Sequence, residues 1–234
     1  MTTAERGTIM AEDFSKKMVK KGKFITFEGG EGCGKSTQVD LLAQRLRKQA
    51  SPFTLVREPG GTEVGEQIRQ VLLFGWQKEA MRPETELLLF CASRAQLVRE
   101  VIQPELKRGN TVICDRFFDS TKVYQGVGRH LDAGIVTKIN QFAIGSAVPD
   151  LTIVVDLDPR IGMERARNRI RPRRVSGDLF DHMETRSMEF FDRVRQGFID
   201  LAREEPERVK LVDGSQPPEL IQMKVWDLVS HVLQ

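Results

Sequence analysis

No stretch of this chain is apolar for long enough to cross a bilayer, and residues Met1 to Gly22 have no hydrophobic centre of the kind that directs secretion. Cysteine is scarce: Cys33, Cys91 and Cys114 are spaced neither as a disulfide framework nor as a metal knuckle, which points to free thiols in a reducing compartment. No sign of charge dominates. With 36 basic against 33 acidic residues and a net charge of +3, a bulk affinity for nucleic acid or membrane is excluded, and any basic chemistry is local. Internal repeats and low-complexity tracts are missing, as are an Asp-x-x-Gly switch and an Asn-Lys-x-Asp guanine-reading motif, so a nucleotide-sensing regulator is disfavoured. What remains, at 234 residues and 40% hydrophobic, is enough for one well-filled α/β domain. The expectation is a soluble, cytoplasmic protein in which residues 1–21 form a mobile extension and residues 22–234 a single domain.

The chain is organised around Gly29-Gly30-Glu31-Gly32-Cys33-Gly34-Lys35-Ser36, which meets every fixed position of the phosphate-loop pattern G-x-x-x-x-G-K-[ST]. The order around it is also right. Lys23 to Phe27 reads as a β-rich apolar run, and Gln38 to Lys48 has helical periodicity through Val39, Leu42, Ala43 and Leu46. Glycines let successive backbone N–H groups converge on a phosphate, the helix N-terminus adds positive potential, and Lys35 reaches the outer phosphates. Ser36 is placed to ligate Mg²⁺, and ATP is the expected nucleotide. A glycine-rich turn without a ligand is the plainer alternative.

Further strands are expected at Phe53–Val56, Thr111–Cys114, Leu151–Val155 and Arg208–Asp213, alternating with helices at Glu63–Leu73, Pro83 to about Lys107, Phe180 onward and Pro217–Leu233. That alternation implies a mostly parallel sheet covered on both faces. Ligands of such sheets sit beyond the carboxyl ends of the strands. Arg57, at one such end, is either a fork for a phosphate or a partner of Glu58. Asp115, at another, is a candidate Mg²⁺ carboxylate opposite Ser36. Phe90 and Arg94 share a helix face and could hold a base, although Phe90 also fits a core stripe. Asp119, Ser120, Thr121, Tyr124, Gln125 and Arg129 form a polar and aromatic cluster better suited to a pocket than a core. Between Arg165 and Arg174 stand six arginines, with Pro172 and Gly177 breaking the helix, so residues 165–180 read as an arginine-rich lid over polyphosphate or as an RNA-binding patch.

Together these stretches resemble the thymidylate kinase family from Gly22 to the C-terminus, on Phe27 to Thr37, Arg57-Glu58-Pro59-Gly60-Gly61-Thr62, Phe90 to Arg94, Asp115-Arg116-Phe117 and Tyr124-Gln125-Gly126. The resemblance implies a phosphate-loop nucleoside monophosphate kinase fold with a five-stranded parallel sheet of order 2-3-1-4-5. It also implies phosphorylation of dTMP to dTDP by Mg-ATP in dTTP synthesis, by a cytosolic homodimer. ATP would bind Gly29 to Thr37. Glu31 would contact the sugar 3′-hydroxyl; Arg57 and Arg116 would grip the dTMP phosphate. Phe90 would stack on thymine, Arg94, Thr121 and Gln125 would line the base pocket, and Tyr124 would crowd a 2′-hydroxyl. Some members of the family carry a basic residue in the phosphate loop, whereas others have glycine there and place catalytic arginines in the lid. Gly32 makes this chain similar to the second kind, with Arg165 and Arg169 as lid candidates beside Lys35 and Arg116. It departs from the family at Asp181-His182-Met183-Glu184 and at Phe117. A kinase for UMP, CMP or AMP is the nearest competing reading.

Overall fold

The computed structural model describes residues 21–74, 81–170 and 186–234. Five strands form one parallel sheet in the order β2-β3-β1-β4-β5: β1 Phe24–Glu28, β2 Phe53–Arg57, β3 Thr111–Asp115, β4 Leu151–Asp156 and β5 Val209–Asp213. The sheet order is the one the resemblance implied. After β1 the chain builds one side of the sheet through β2 and β3, then the other through β4 and β5. The reversal beside β1 leaves a crevice at the carboxyl ends of the strands.

The central strand shows why both faces are covered. Alternate residues of β1 feed different cores: Ile25 and Phe27 pack with Val39, Leu42 and Leu46 of α1 (Lys35–Lys48) and with Ile221, Val225 and Val229 of a C-terminal helix, Pro218–Leu233. Phe24 points the other way, into Leu97, Val98 and Ile102. Thr26 is also buried and is satisfied by a 2.8 Å hydrogen bond to the Thr152 hydroxyl of β4. Each fully buried large apolar side chain contributes about 1.5–3 kcal/mol, so the alternation fixes strand register as well as stability.

The connecting helices in chain order are α1, α2 Glu63–Phe74, α3 Pro83–Leu97, α4 Gln103–Lys107, α5 Phe118–Thr121, α6 Ala133–Ile144, α7 Pro159–Ile170, α8 Met188–Glu204 and α9 Pro218–Leu233. A π-helical stretch, Val98–Ile102, joins α3 to α4, so the helical run expected from Pro83 to Lys107 is continuous. Local chemistry sets several starts. Asp132 accepts from the Ile135 N–H at 2.8 Å, Ser187 caps α8 by accepting from the Phe190 N–H, and proline opens α3 and α9. Of the helix expected from Phe180 onward, the described part is α8, which begins at Met188 behind Ser187. The extension 1–20, Arg171, Arg173, Arg174 and the lid around Pro172 and Gly177, and Phe180 and His182 lie outside the described residues.

Candidate active site

A cavity of about 590 Å³ opens at the carboxyl ends of β1, β2 and β3, within the size range of small-molecule sites. Its floor is the phosphate loop. Gly29, Gly32 and Gly34 take left-handed φ values of 131°, 62° and 100°, and the last of these turns the loop directly into α1. The helix thus starts at Lys35, earlier than the apolar periodicity from Gln38 indicated. Lys35 is buried, and its Nζ donates to the carbonyls of Gly29 at 3.0 Å and Gly30 at 2.7 Å, a cation held among backbone dipoles beside the loop. Gly32, Cys33, Gly34, Ser36 and Thr37 line the cavity with it.

Pairing of Phe27 with Asp115 sets the end of β3 level with the loop, and the Ser36 hydroxyl donates to Asp115 Oδ2 at 2.9 Å. A hydroxyl and a carboxylate in contact are hard oxygen donors suited to a Mg²⁺ ion that takes its other ligands from phosphate and water. The residues present fit that group. Next in the chain, Arg116 adopts a left-handed backbone, φ 69°, and turns its guanidinium across the cavity. It donates to Gly29 O at 3.0 Å, to Ser120 Oγ at 3.2 Å and to Glu31 Oε1 at 2.7 Å. The Tyr124 hydroxyl donates to the same Glu31 oxygen at 3.0 Å, and its ring lies 5.1 Å from the guanidinium. Burial pushes the Tyr124 phenol well above its ordinary range, with Arg116 pulling down and Glu31 pushing up. Arg116, Glu31 and Tyr124 therefore form one coupled wall.

Beneath that wall sits Glu28, which sequence reasoning quoted but gave no role. It accepts from the Phe117 N–H at 2.8 Å, the Ser120 N–H at 3.2 Å and the Ser120 hydroxyl at 2.5 Å. Burial and the nearby Asp119 raise its carboxyl to about 7, against the pull of Arg116 and of these hydrogen bonds. Asp119 is itself buried and bound by Arg208 at 2.6 and 2.9 Å. Glu28 thereby ties down the turn that carries Arg116.

At one end of the cavity Phe90 is half-buried and forms the wall with Thr121, Tyr124 and Gln125. A π-helical turn, Lys122–Gly128, presents Tyr124 and Gln125, a geometry frequent at functional sites. The Gln125 amide donates to Glu86 at 2.7 Å, and Glu86 is held in turn by Arg186 at 3.3 Å and Arg129 at 3.6 Å. The Thr121 hydroxyl is buried and has no hydrogen-bond partner among the described residues. Arg94 differs from the sequence reading, because its guanidinium turns inward. It is 1% exposed, donates to Glu58 at 2.8 Å, Asn140 at 2.7 Å and Phe117 O at 3.3 Å, and does not line the cavity. Burial raises Glu58 to about 7 although Arg94 pulls the other way. Glu58 lines the cavity, and its Oε1 has no partner among the described residues.

Arg57 is exposed on the rim, where it pairs with Glu66 at 3.0 Å rather than with Glu58. Arg69, which the sequence did not single out, lines the cavity beside it and donates to Pro59 O at 2.9 Å. The opposite end is formed by Arg165 and Ala166 of α7 with Gly214, Gln216, Pro218 and Ile221. Arg169 belongs to α7, but its side chain lies outside the described residues. No periodicity could have disclosed Arg69, Glu28 or Gln216, since each acts through contacts made only on folding.

Comparison with known proteins agrees with this geometry. The sequence model of the family described as thymidylate kinase matches residues 27–225. A relative named thymidylate kinase from Deinococcus radiodurans is 43% identical over 91% of this chain and 98% of its own length. Another of that name from Geobacter sulfurreducens is 46% identical over 89% of this chain and 96% of its own. The crystal structure of thymidylate kinase from Ehrlichia chaffeensis superposes with a TM-score of 0.69 at 32% identity, covering 89% of this chain and 99% of that one. Loop, sheet order, cavity and relatives agree, and the chain belongs to the thymidylate kinase family.

Proposed function

We propose that the protein phosphorylates dTMP to dTDP with ATP, by direct in-line transfer of the γ-phosphoryl group, in the supply of dTTP. The observation that carries this reading is one cavity with a phosphate loop in its floor and a wall of Phe90, Thr121, Tyr124 and Gln125. Arg57 and Arg116 line it as well. ATP occupies the loop from Gly29 to Thr37, with its base toward Gln216 and Pro218. The monophosphate stacks on Phe90, and its sugar meets Glu31 and Tyr124, whose bulk disfavours a 2′-hydroxyl.

No protein nucleophile is needed, because the acceptor phosphate is already an anion. The work is to bring two mutually repelling phosphates together and neutralise the charge between them. Arg57 and Arg116 draw in the acceptor. Lys35 exchanges its carbonyl partners for phosphate oxygens, and Arg165 with Arg169 covers the transferred group from the lid, residues 165–180 of a kinase domain spanning 22–234. Ser36 and Asp115 would hold Mg²⁺, which when bound supplies positive charge to the β- and γ-phosphates.

The enzyme works as a homodimer. Leu88 of α3 with Ile135 and Phe142 of α6 supports this, being 55%, 56% and 82% exposed on two helices that pack together. Three free, buried cysteines suit the reducing cytoplasm. Among the described residues no helix is long and apolar enough to cross a membrane. ADP release measured with dTMP, dUMP, UMP and AMP tests the reading. dTMP is expected to be the best acceptor; preference for a ribonucleotide would overturn the specificity, and no turnover with any would overturn the reaction.

A further inference from the structure

Two glycines meet where the phosphate loop touches α7. A Cβ added to Gly32 would fall 1.9 Å from the Gly162 carbonyl oxygen and 2.7 Å from its carbonyl carbon. The reverse also holds, since a Cβ on Gly162 would lie 2.2 Å from the Glu31 carbonyl oxygen. Backbone therefore rests on backbone, with no room for a side chain from either partner. Gly162 is not there for an unusual conformation. Its N–H donates to Asp158 O at 3.0 Å in the first turn of an ordinary helix, where alanine is intrinsically the better residue. The contact with the loop supplies the packing reason for glycine.

Arg165 follows on the same helix, lines the cavity, and has Nη1 3.4 Å from Gly214 O. The height and rotation of α7 on the loop thus determine where this guanidinium stands relative to Lys35 and Ser36. We propose that Gly162 is a positioning residue for phosphoryl transfer: lacking a side chain, it lets α7 seat on the loop at Gly32, and the seat aims Arg165 at the transferred group. The inference rests on reading the site as a phosphotransferase centre. A corollary is that a side chain at position 32 and a seated α7 exclude one another, so an arginine delivered from the loop cannot simply be added to one delivered from α7.

Gly162→Ala, Arg165→Ala and the double variant test this in the full chain, with folding checked by thermal melting. In Gly162→Ala, kcat for dTMP falls about 10²-fold, the size expected for a displaced reacting group. Calorimetric dTMP affinity stays within about twofold, and the double variant is no more than about threefold slower than Arg165→Ala, because coupled residues are not additive. A parental rate in Gly162→Ala, or losses that multiply in the double variant, overturns the proposal. Amide hydrogen exchange is a second readout that does not need activity: residues 162–166 exchange faster in Gly162→Ala while β5 is unchanged. Unaltered protection of α7 overturns the seat. A parent enzyme that phosphorylates nothing defeats the phosphotransferase reading, and the exchange result then decides the seat alone. Should Gly162→Ala fail to fold, Gly32→Ala attacks the same contact from the loop side and carries the same exchange prediction.

Discussion

The two ends of the cavity are built by different means. At the phosphate end one contiguous segment, Gly29 to Ser36, supplies the cradle, and the Lys35 ammonium is held by carbonyls of its own loop. At the opposite end the wall joins two stretches distant in sequence, α3 and the continuous run of α5 into the π-helical turn. Phe90 comes from α3, Thr121 from α5, and Tyr124 and Gln125 from a π-helical turn, while buried ion pairs around Glu58 and Glu86 hold the supporting residues. Backbone dipoles serve any polyphosphate, whereas choice among bases depends on side chains whose positions are set from a distance. Damage at the first end should therefore appear in turnover, and damage at the second in stability and specificity.

The largest effect belongs to the phosphate end. Arg165→Ala or Arg169→Ala is expected to slow turnover about 10³-fold, close to 4 kcal/mol of barrier, without loss of fold. Single-turnover rates and melting curves check this; undiminished rates in both variants reject the lid assignment, and a changed dTMP affinity in place of a changed rate would break the contrast between the ends. Arg94→Leu probes the other end. It leaves Glu58 buried without its countercharge, and stability should drop by about 3 kcal/mol in urea unfolding. Adding Glu58→Leu should recover much of the loss, whereas a further loss would show that the pair is not acting as a unit.

Glu28, between the two ends, gives a pH signature. Its carboxyl is raised from an ordinary 4.5 to about 7, chiefly by burial, so the native state keeps a proton that the unfolded chain has shed. Its contribution is present below the unfolded value and is lost as pH rises through the folded one. Between pH 5 and 7 this amounts to about 2 kcal/mol of lost stability. Glu28→Gln should flatten that slope in unfolding titrations; an unchanged slope would assign it to other groups, Glu58 first.

The same contrast explains what the sequence could disclose. β1, β3 and β4 were legible because strands buried on both faces read as near-continuous apolar runs, and the phosphate loop because its chemistry is contiguous. Boundaries moved where pattern and structure part. The first turn of α1 is Lys35-Ser36-Thr37, polar residues of the loop motif, so periodicity began only at Gln38. Arg94 follows Phe90 by one helical turn, yet its partners Glu58 and Asn140 lie 36 and 46 residues away, and nothing local tells that its guanidinium turns inward. Arg57 was offered Glu58 as a neighbour in sequence and takes Glu66 from the next helix instead. Glu28 owes its raised carboxyl first to burial and then to Asp119, against the pull of hydrogen bonds from a turn some ninety residues on, a setting that only the fold assembles.

The smallest effect is also the most discriminating. Thr121 places a hydroxyl in the wall, buried and without a partner among the described residues, a state that costs about 1–3 kcal/mol for a polar group. Thr121→Val keeps the shape and removes the hydroxyl. If that hydroxyl serves the base, the variant should gain stability without substrate and lose about 1 kcal/mol, roughly fivefold, in kcat/KM for dTMP. Opposite signs in the two measurements are what a structural threonine cannot produce, since losing a core hydrogen bond would lower the melting temperature as well. Thermal melting beside initial rates on dTMP reads both signs in one preparation. A melting temperature that falls, or a kcat/KM that stays at the parental value, would remove Thr121 from base recognition and leave selectivity at this end to Phe90, Tyr124 and Gln125.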